Sequence, residues 1–188
     1  RIRGTGATQA VVDANGFDIT ANQLIIGQFN NSGTLLNDGA VTVNQLLMDR
    51  SLATLTGGDD VVQGVLNIFN SSTLNVLQSL GEMDGLTLNG NTLSIDPTSF
   101  LVLNFDAQIN IGDDWAFRWL NPLGGDRITA LNDFVIDGRI VINAPTMTSI
   151  YDGGDGYTYI GYTTVPEPSA WAFSLVALSA VLRRRSRS

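Results

Sequence analysis

The chain has 188 residues, of which 44% are hydrophobic and only 15% charged, and its formal net charge is -8. This supplies enough apolar material for one domain or one elongated array with a core, which excludes wholesale disorder. The absence of Cys and His excludes disulfides, thiolate or imidazole metal sites, and Ser-His-Asp or Cys-His catalysis. The acidic balance argues against nucleic acid as a partner.

Most of the chain before residue 165 has the composition of β-strands. Residues 101–111 show it best, because Leu101, Leu103 and Phe105 fall on one face of an extended chain while Asn104 and Asp106 fall on the other. In chain order, strands are predicted over residues 17–20, 24–29, 40–48, 64–69, 85–96, 100–111, 115–120, 133–142 and 157–165.

Asn-Gly and Asp-Gly pairs separate several of these segments, and such pairs tolerate the positive φ that tight turns need. The strongest hairpin prediction is "FVIDGRIVI" (134–142), with two apolar arms around Asp137-Gly138. The nearest helix candidate is "VNQLLMDRSLATL" (43–55), which has no good cap.

An internal echo suggests how the strands stack. "ITANQLIIG" and "VTVNQLLMD" are similar and lie just over twenty positions apart, which is typical of one coil of a parallel β-helix. Inward asparagines at the corners of such coils are expected to form hydrogen-bonded ladders. We therefore predict an all-β fold: a right-handed parallel β-helix (β-solenoid) with antiparallel C-terminal hairpins, then one short C-terminal apolar helix. The alternative is a β-sandwich.

The C-terminal 24 residues differ from the rest of the chain. Val165-Pro166-Glu167-Pro168 is stiff and extended because each proline fixes its own φ. The following stretch is apolar but shorter than the roughly 20 residues that a membrane-spanning helix needs. Arg183, Arg184 and Arg185 then form a cationic stop, which favours the cytoplasmic side. The apolar residues predicted to enter the membrane are Trp171, Phe173, Leu175, Val176, Leu178, Val181 and Leu182.

This tail resembles the PEP-CTERM sorting signal of Gram-negative bacteria. The resemblance rests on "VPEPS" (Val165, Pro166, Glu167, Pro168 and Ser169), the apolar run, and the arginine cluster. It implies recognition and processing by an exosortase-type membrane enzyme, transient insertion in the inner membrane, and association with exopolysaccharide at the cell surface or in the extracellular matrix.

The body resembles the autotransporter-associated β-strand-repeat proteins in texture, which implies a β-helical or sandwich passenger. We expect two regions: a β-rich extracellular domain over residues 1–164 and the sorting and membrane-anchoring tail over residues 165–188. The first residues, "RIRGTGATQA", include neither Met nor a secretory signal, so we expect the natural N-terminus to be missing.

Two acidic features suggest chemistry. Asp152 and Asp155 lie on the glycine-rich segment "YDGGDGYTY", where carboxylates can converge on Ca²⁺, although solvated turns have the same composition. Asp113, Asp114, Asp133 and Asp137 are candidate carboxylate pairs for glycoside hydrolysis. We predict no catalytic residue and no required cofactor, with Ca²⁺ as the one candidate ion.

The segment "DDWAFRWL" places Trp115, Phe117 and Trp119 at alternating positions, so all three are expected on one strand face. Exposed indoles would stack on sugar rings, whereas buried ones would be core. The leading functional prediction is an exported, non-catalytic surface or matrix protein. A carbohydrate-binding or adhesive module using Trp115 and Trp119 is the second, and a polysaccharide-active enzyme is the third.

Overall fold

The computed structural model describes residues 10–27, 33–37, 39–56, 59–77, 85–105, 115–144 and 148–161. These residues form fourteen β-strands and one short helix, α1 (Ile128–Ile136). The prediction of an all-β fold is confirmed at the level of fold class. The predicted apolar helix of the tail lies outside the described residues.

The strands belong to two sheets. The small sheet consists of β1 (Ala10–Asp13), β3 (Gly33–Asn37), β5 (Leu52–Leu55), β7 (Thr73–Leu77), β10 (Phe100–Asn104) and β12 (Ile140–Asn143). The large sheet consists of β2 (Ile19–Gly27), β4 (Val41–Asp49), β6 (Asp60–Phe69), β8 (Leu86–Leu88), β9 (Thr92–Ile95), β11 (Trp115–Leu120), β13 (Ser149–Asp152) and β14 (Tyr157–Gly161).

From β1 to β7 the chain alternates between the small and the large sheet, and neighbouring strands within each sheet are parallel. The echoed segments pair directly, since β2 lies beside β4 with Ile19 opposite Val41 and Gln23 opposite Gln45. The Gln23 amide donates a hydrogen bond of 2.7 Å to the Gln45 side chain. The repeat in the sequence therefore corresponds to parallel neighbours in one sheet.

One hydrophobic core receives side chains from both sheets. The period-two prediction is confirmed over the described part of residues 101–111, because Leu101, Leu103 and Phe105 are buried while Val102 and Asn104 are half-buried. Burial of such alternating faces is the main source of stability for a sheet protein.

At one set of corners, where the chain passes from the large to the small sheet, polar residues stack from one connection to the next. Ser51, Ser72 and Ser99 are buried there. The Ser51 amide donates to Ser72 Oγ, and the Ser72 amide donates to Ser99 Oγ, both at 3.1 Å. At the half-exposed side, Asn70 Nδ2 donates to Asp49 Oδ1 at 3.0 Å. The ladder predicted for inward asparagines is thus made by serines in the buried position, where a short hydroxyl fits.

The predicted hairpin around Asp137-Gly138 is wrong. Residues 134–136 belong to α1, and only the second arm is a strand, β12. Gly138 has φ +73°, and its amide donates to the Val135 carbonyl while the Arg139 amide donates to the Phe134 carbonyl. This pair of bonds is a Schellman helix stop, which requires the same positive φ as a hairpin turn.

The helix candidate at residues 43–55 is not a helix, because this segment forms most of β4 and all of β5 with a corner between them, and the strand predicted over residues 40–48 is confirmed as β4. Arg50 has φ +51° at that corner, which interrupts any helical path. The predicted antiparallel end is confirmed: β14 lies antiparallel to both β11 and β13 at the end of the large sheet. Among the described strands, antiparallel pairing involves β14 with β11 and with β13, whereas β10 and β12 are parallel.

Candidate functional site

The residues predicted to carry sorting lie outside the described residues. These are the motif Val165, Pro166, Glu167, Pro168 and Ser169, the apolar segment from Trp171 to Leu182, and the arginines from Arg183 to Arg185. Within the described part of the chain, no helix is both long enough and apolar enough to cross a bilayer.

Strand β11 does not place its three aromatic residues on one face. Phe117 and Trp119 join the core, whereas Trp115 packs against Arg118, whose guanidinium carbon lies 4.4 Å from the indole centroid. The pairing of β11 with β14 shifts register between Trp115 and Phe117, and such a bulge re-aims the side chains on either side of it. The prediction that Trp115, Phe117 and Trp119 share a face is therefore wrong.

Neither tryptophan presents an open ring to a sugar. Trp115 is 5% exposed and Trp119 is 4% exposed. The indole nitrogen of Trp119 donates a 2.8 Å hydrogen bond to the Gly90 carbonyl, and the Arg127 guanidinium carbon lies 4.3 Å from one ring centroid of Trp119. Both rings are committed to packing within the chain.

A cluster of aromatic rings surrounds Arg118. Its guanidinium carbon also lies 4.8 Å from the centroid of Tyr157, and its Nε donates to Thr87 Oγ1 at 2.9 Å. Tyr159 touches Trp115 edge to face at 5.8 Å and stacks on Tyr151 at 5.4 Å. These contacts pack β13 and β14 against β11, and they position the loop between β13 and β14.

The hairpin loop between β13 and β14 contains both candidate calcium ligands. Asp152 Oδ1 accepts hydrogen bonds from the Gly154 amide at 3.0 Å and from the Asn121 amide group at 3.3 Å. Asp155 accepts from the Tyr157 amide and from the Tyr159 hydroxyl. The two carboxylates thus shape the loop, and the described residues contain no group of three or more acids placed to hold a metal ion.

Burial first, and then the Asp155 carboxylate that accepts the phenolic proton in a hydrogen bond, together raise the pKa of Tyr159 to about 12. Below pH 10 the Tyr159 phenol is protonated in both the folded and the unfolded chain, so its contribution to the free energy of unfolding is at its full value. Between about pH 10 and 12 only the unfolded phenol ionises, which lowers the free energy of unfolding as pH rises.

We therefore expect the urea midpoint of the chain to fall more steeply between pH 10 and 12 than that of Tyr159→Phe, which lacks the titrating hydroxyl. Urea unfolding followed by circular dichroism at several pH values measures both slopes. Parallel pH profiles for the two proteins would show that Tyr159 does not titrate abnormally.

The remaining acidic candidates do not form a pair across a groove in the described residues. Asp60 at the start of β6 is not one of these candidates; it is buried and accepts the Val41 amide at 2.8 Å. Asp133 lies exposed on α1, and Asp137 follows that helix and pairs with Arg139. Asp113 and Asp114 lie outside the described residues.

An open groove of about 570 Å³ lies beside the hairpin loop, and sequence reasoning did not predict it. It is lined by residues 120–126, at and after the end of β11, and by Asp152, Gly154 and Gly156, at the end of β13 and in the loop that follows it. Asn121 joins the two walls, since its amide nitrogen donates to Asp152 and its backbone N–H donates to the Gly156 carbonyl at 2.8 Å. The two segments are some thirty positions apart, so no local motif could indicate their meeting.

Comparisons with known proteins give no family assignment. No family model matches the chain. No curated protein matches it. No solved structure matches it.

Proposed function

We propose that this chain is an exported, non-catalytic structural protein of the cell surface or exopolysaccharide matrix of a Gram-negative bacterium, carried there by its C-terminal signal. The observation that supports this most is the stacking of parallel strands in two sheets around one core. Such an array is built by repetition and offers long side faces, which suits a scaffold.

We propose further that the body winds as a right-handed β-solenoid. Two features support the winding: the strands alternate between the sheets, and hydrogen bonds join side chains at matching positions of successive coils, within neighbouring strands for Gln23–Gln45 and at the corners for the serines. The separations are 22 positions for Gln23–Gln45, 21 for Ser51–Ser72 and 27 for Ser72–Ser99. In a β-sandwich, connections usually return to an antiparallel neighbour, whereas these strands lie beside parallel ones.

A non-catalytic role agrees with how the acids are used. The described acids discussed above hold loops and corners: Asp152 and Asp155 shape a hairpin loop, and Asp60 holds a buried connection. The surface charge also disfavours polyanionic partners such as nucleic acid. The partners proposed are an exosortase-type enzyme, the inner membrane for a transient period, and exopolysaccharide.

The tail supplies the address in this proposal. Pro166, Glu167 and Pro168 present an extended segment that an enzyme can bind without unfolding the body. The apolar segment that follows is too short for lasting anchorage, and the arginines hold it until processing. The body then remains outside the cell.

Replacing Pro166, Glu167 and Pro168 with alanines should leave an unprocessed precursor in the membrane fraction of the native host. The reason is that alanine removes the fixed extended geometry of the motif while the membrane segment and its cationic stop persist. Immunoblotting of membrane and medium fractions measures the result. Pro122→Ala, at an exposed proline of the body, is the matched control and should be processed normally. Unchanged processing of the triple variant would refute the sorting role.

A carbohydrate-binding module that uses Trp115 and Trp119 has less support, because both rings are buried. A polysaccharide-active enzyme has less support, because Asp133 and Asp137, the described members of its predicted carboxylate set, lie on and just after α1, and Asp137 pairs with Arg139. We therefore keep the scaffold as the single proposed function.

A further inference from the structure

The groove beside the hairpin loop is preformed by contacts within the chain. Its two walls are joined by the Asn121–Asp152 hydrogen bond and by the backbone bond from Asn121 to Gly156. Asn121 of the lining is steadied in turn by buried Thr158, whose hydroxyl donates to Asn121 Oδ1 at 2.6 Å and accepts the Arg127 amide at 2.9 Å. The groove is therefore preorganised, and a ligand would bind without first ordering its loops, which lowers the entropic cost of binding.

The lining combines hydrogen-bond acceptors with one apolar side chain. Asp126 Oδ1 accepts the Ile128 amide and Asp152 Oδ1 accepts two donors, but within the described residues no hydrogen bond reaches the Oδ2 atom of either carboxylate. Leu123 is fully exposed at the rim, where it contributes nothing to the core. Free acceptors beside an exposed apolar contact are the elements that bind a molecule with hydroxyl groups on one side and C–H groups on the other.

From these observations we infer that the groove is a binding site for a glycan without negative charge: a neutral hexose chain or a chain of amino sugars. Sugar hydroxyls donate to the carboxylate oxygens, and an ammonium group would do so more strongly. Uronic acids and sulfated sugars are excluded by repulsion from Asp126 and Asp152. The inference rests on the proposed function, since it names how the scaffold holds matrix polysaccharide.

This site differs from the one expected from the sequence. Trp115 and Trp119 lie in packed positions, whereas the groove is open to solvent and takes its polar atoms from two loops. The volume of about 570 Å³ is within the range of small-molecule sites and suits a few sugar rings.

The test is binding of the purified chain to three soluble tetrasaccharides: of glucose, of glucosamine and of galacturonic acid. Titration calorimetry should show a Kd on the order of 1 mM or tighter for at least one of the first two, and none for galacturonic acid. Failure of both uncharged and cationic probes at 10 mM, or preferred binding of galacturonic acid, would overturn the inference.

Gly125→Trp tests the location. Gly125 lines the groove with an ordinary φ, and a Cβ there would meet only Pro122 Cγ at 3.4 Å, so a side chain can begin at this position without backbone strain, and the bulk of an indole is expected to obstruct the groove. Binding should weaken at least tenfold, and Leu123→Ala should weaken it about threefold. Ile136→Ala removes a side chain of similar exposure away from the groove and should change nothing. Equal affinity of Gly125→Trp and the parent chain would place the site elsewhere and refute the groove.

The result is separable from the sorting proposal. Loss of glycan binding with normal processing of the tail would refute only the groove. If the chain binds glycan as expected but the triple alanine variant of Pro166, Glu167 and Pro168 is processed like the parent chain, only the sorting role of the tail would be refuted.

Discussion

Gly90→Ala is expected to destabilise the protein more than any other single methyl addition considered. Gly90 is buried between β8 and β9, and a Cβ at this position would lie 1.5 Å from the Gly64 carbonyl oxygen and 2.2 Å from its carbonyl carbon. These are backbone atoms of β6, so no side-chain rotation relieves the clash, and the strands themselves must separate.

The separation would also strain the hydrogen bond from the Trp119 indole to the Gly90 carbonyl. We expect a loss of about 3 kcal/mol or more in the free energy of unfolding, measured by urea denaturation. Gly125→Ala is the matched control, because its new methyl meets only a proline side chain at 3.4 Å, and its free energy of unfolding should stay within about 0.5 kcal/mol of the parent value. An unchanged midpoint for Gly90→Ala would mean that β6 and the β8–β9 segment are not packed this closely.

Trp119→Ala is the second large effect. The ring is buried in the core, its nitrogen binds Gly90, and Arg127 covers it. Removing it leaves a cavity and an unpaired carbonyl, and we expect a loss of about 3–5 kcal/mol.

Trp119→Phe separates the two contributions, because it keeps most of the packing but removes the N–H donor, and it should lose about 1–3 kcal/mol. Leu123→Ala removes a fully exposed side chain and should be nearly neutral. If Trp119→Ala had the same urea midpoint as Leu123→Ala, that result would contradict the burial of Trp119.

The features that the sequence predicts well are those carried by local periodicity. Alternation over residues 101–105 predicted the buried face of β10. The similarity between "ITANQLIIG" and "VTVNQLLMD" predicted the parallel pairing of β2 with β4. Both succeed because a strand in a repeated array buries the same positions as its neighbour.

The features that were missed depend on contacts distant in the chain or on ambiguous signals. β1, β3 and β5 have four or five residues, too few for alternation to be distinguished from chance. Asp137-Gly138 ends a helix instead of forming a hairpin, because positive φ at glycine serves both structures. The pair Asn89-Gly90 is typical of a turn, but glycine is required at position 90 because the Gly64 backbone leaves no room for a Cβ.

One part of the candidate site, the acidic hairpin loop, drew attention in the sequence as a calcium candidate, and that calcium role stays a prediction. The sequence drew attention to Asp152 and Asp155, and the structure shows that they shape a loop. It did not indicate the groove, since the antiparallel pairing of β11 with β14 is what brings residues 120–126 beside that loop. The bulge that turns Trp115 away from Phe117 likewise has no local signature.

The most direct test of the proposed function is the intact mass of the mature protein recovered from the envelope and medium of its native host. We expect a C-terminus between Pro166 and Ser169, which would mean that the tail is an address removed after export. A mass that retains Arg183, Arg184 and Arg185, with the protein in the membrane fraction, would contradict processing and would make the tail a lasting anchor.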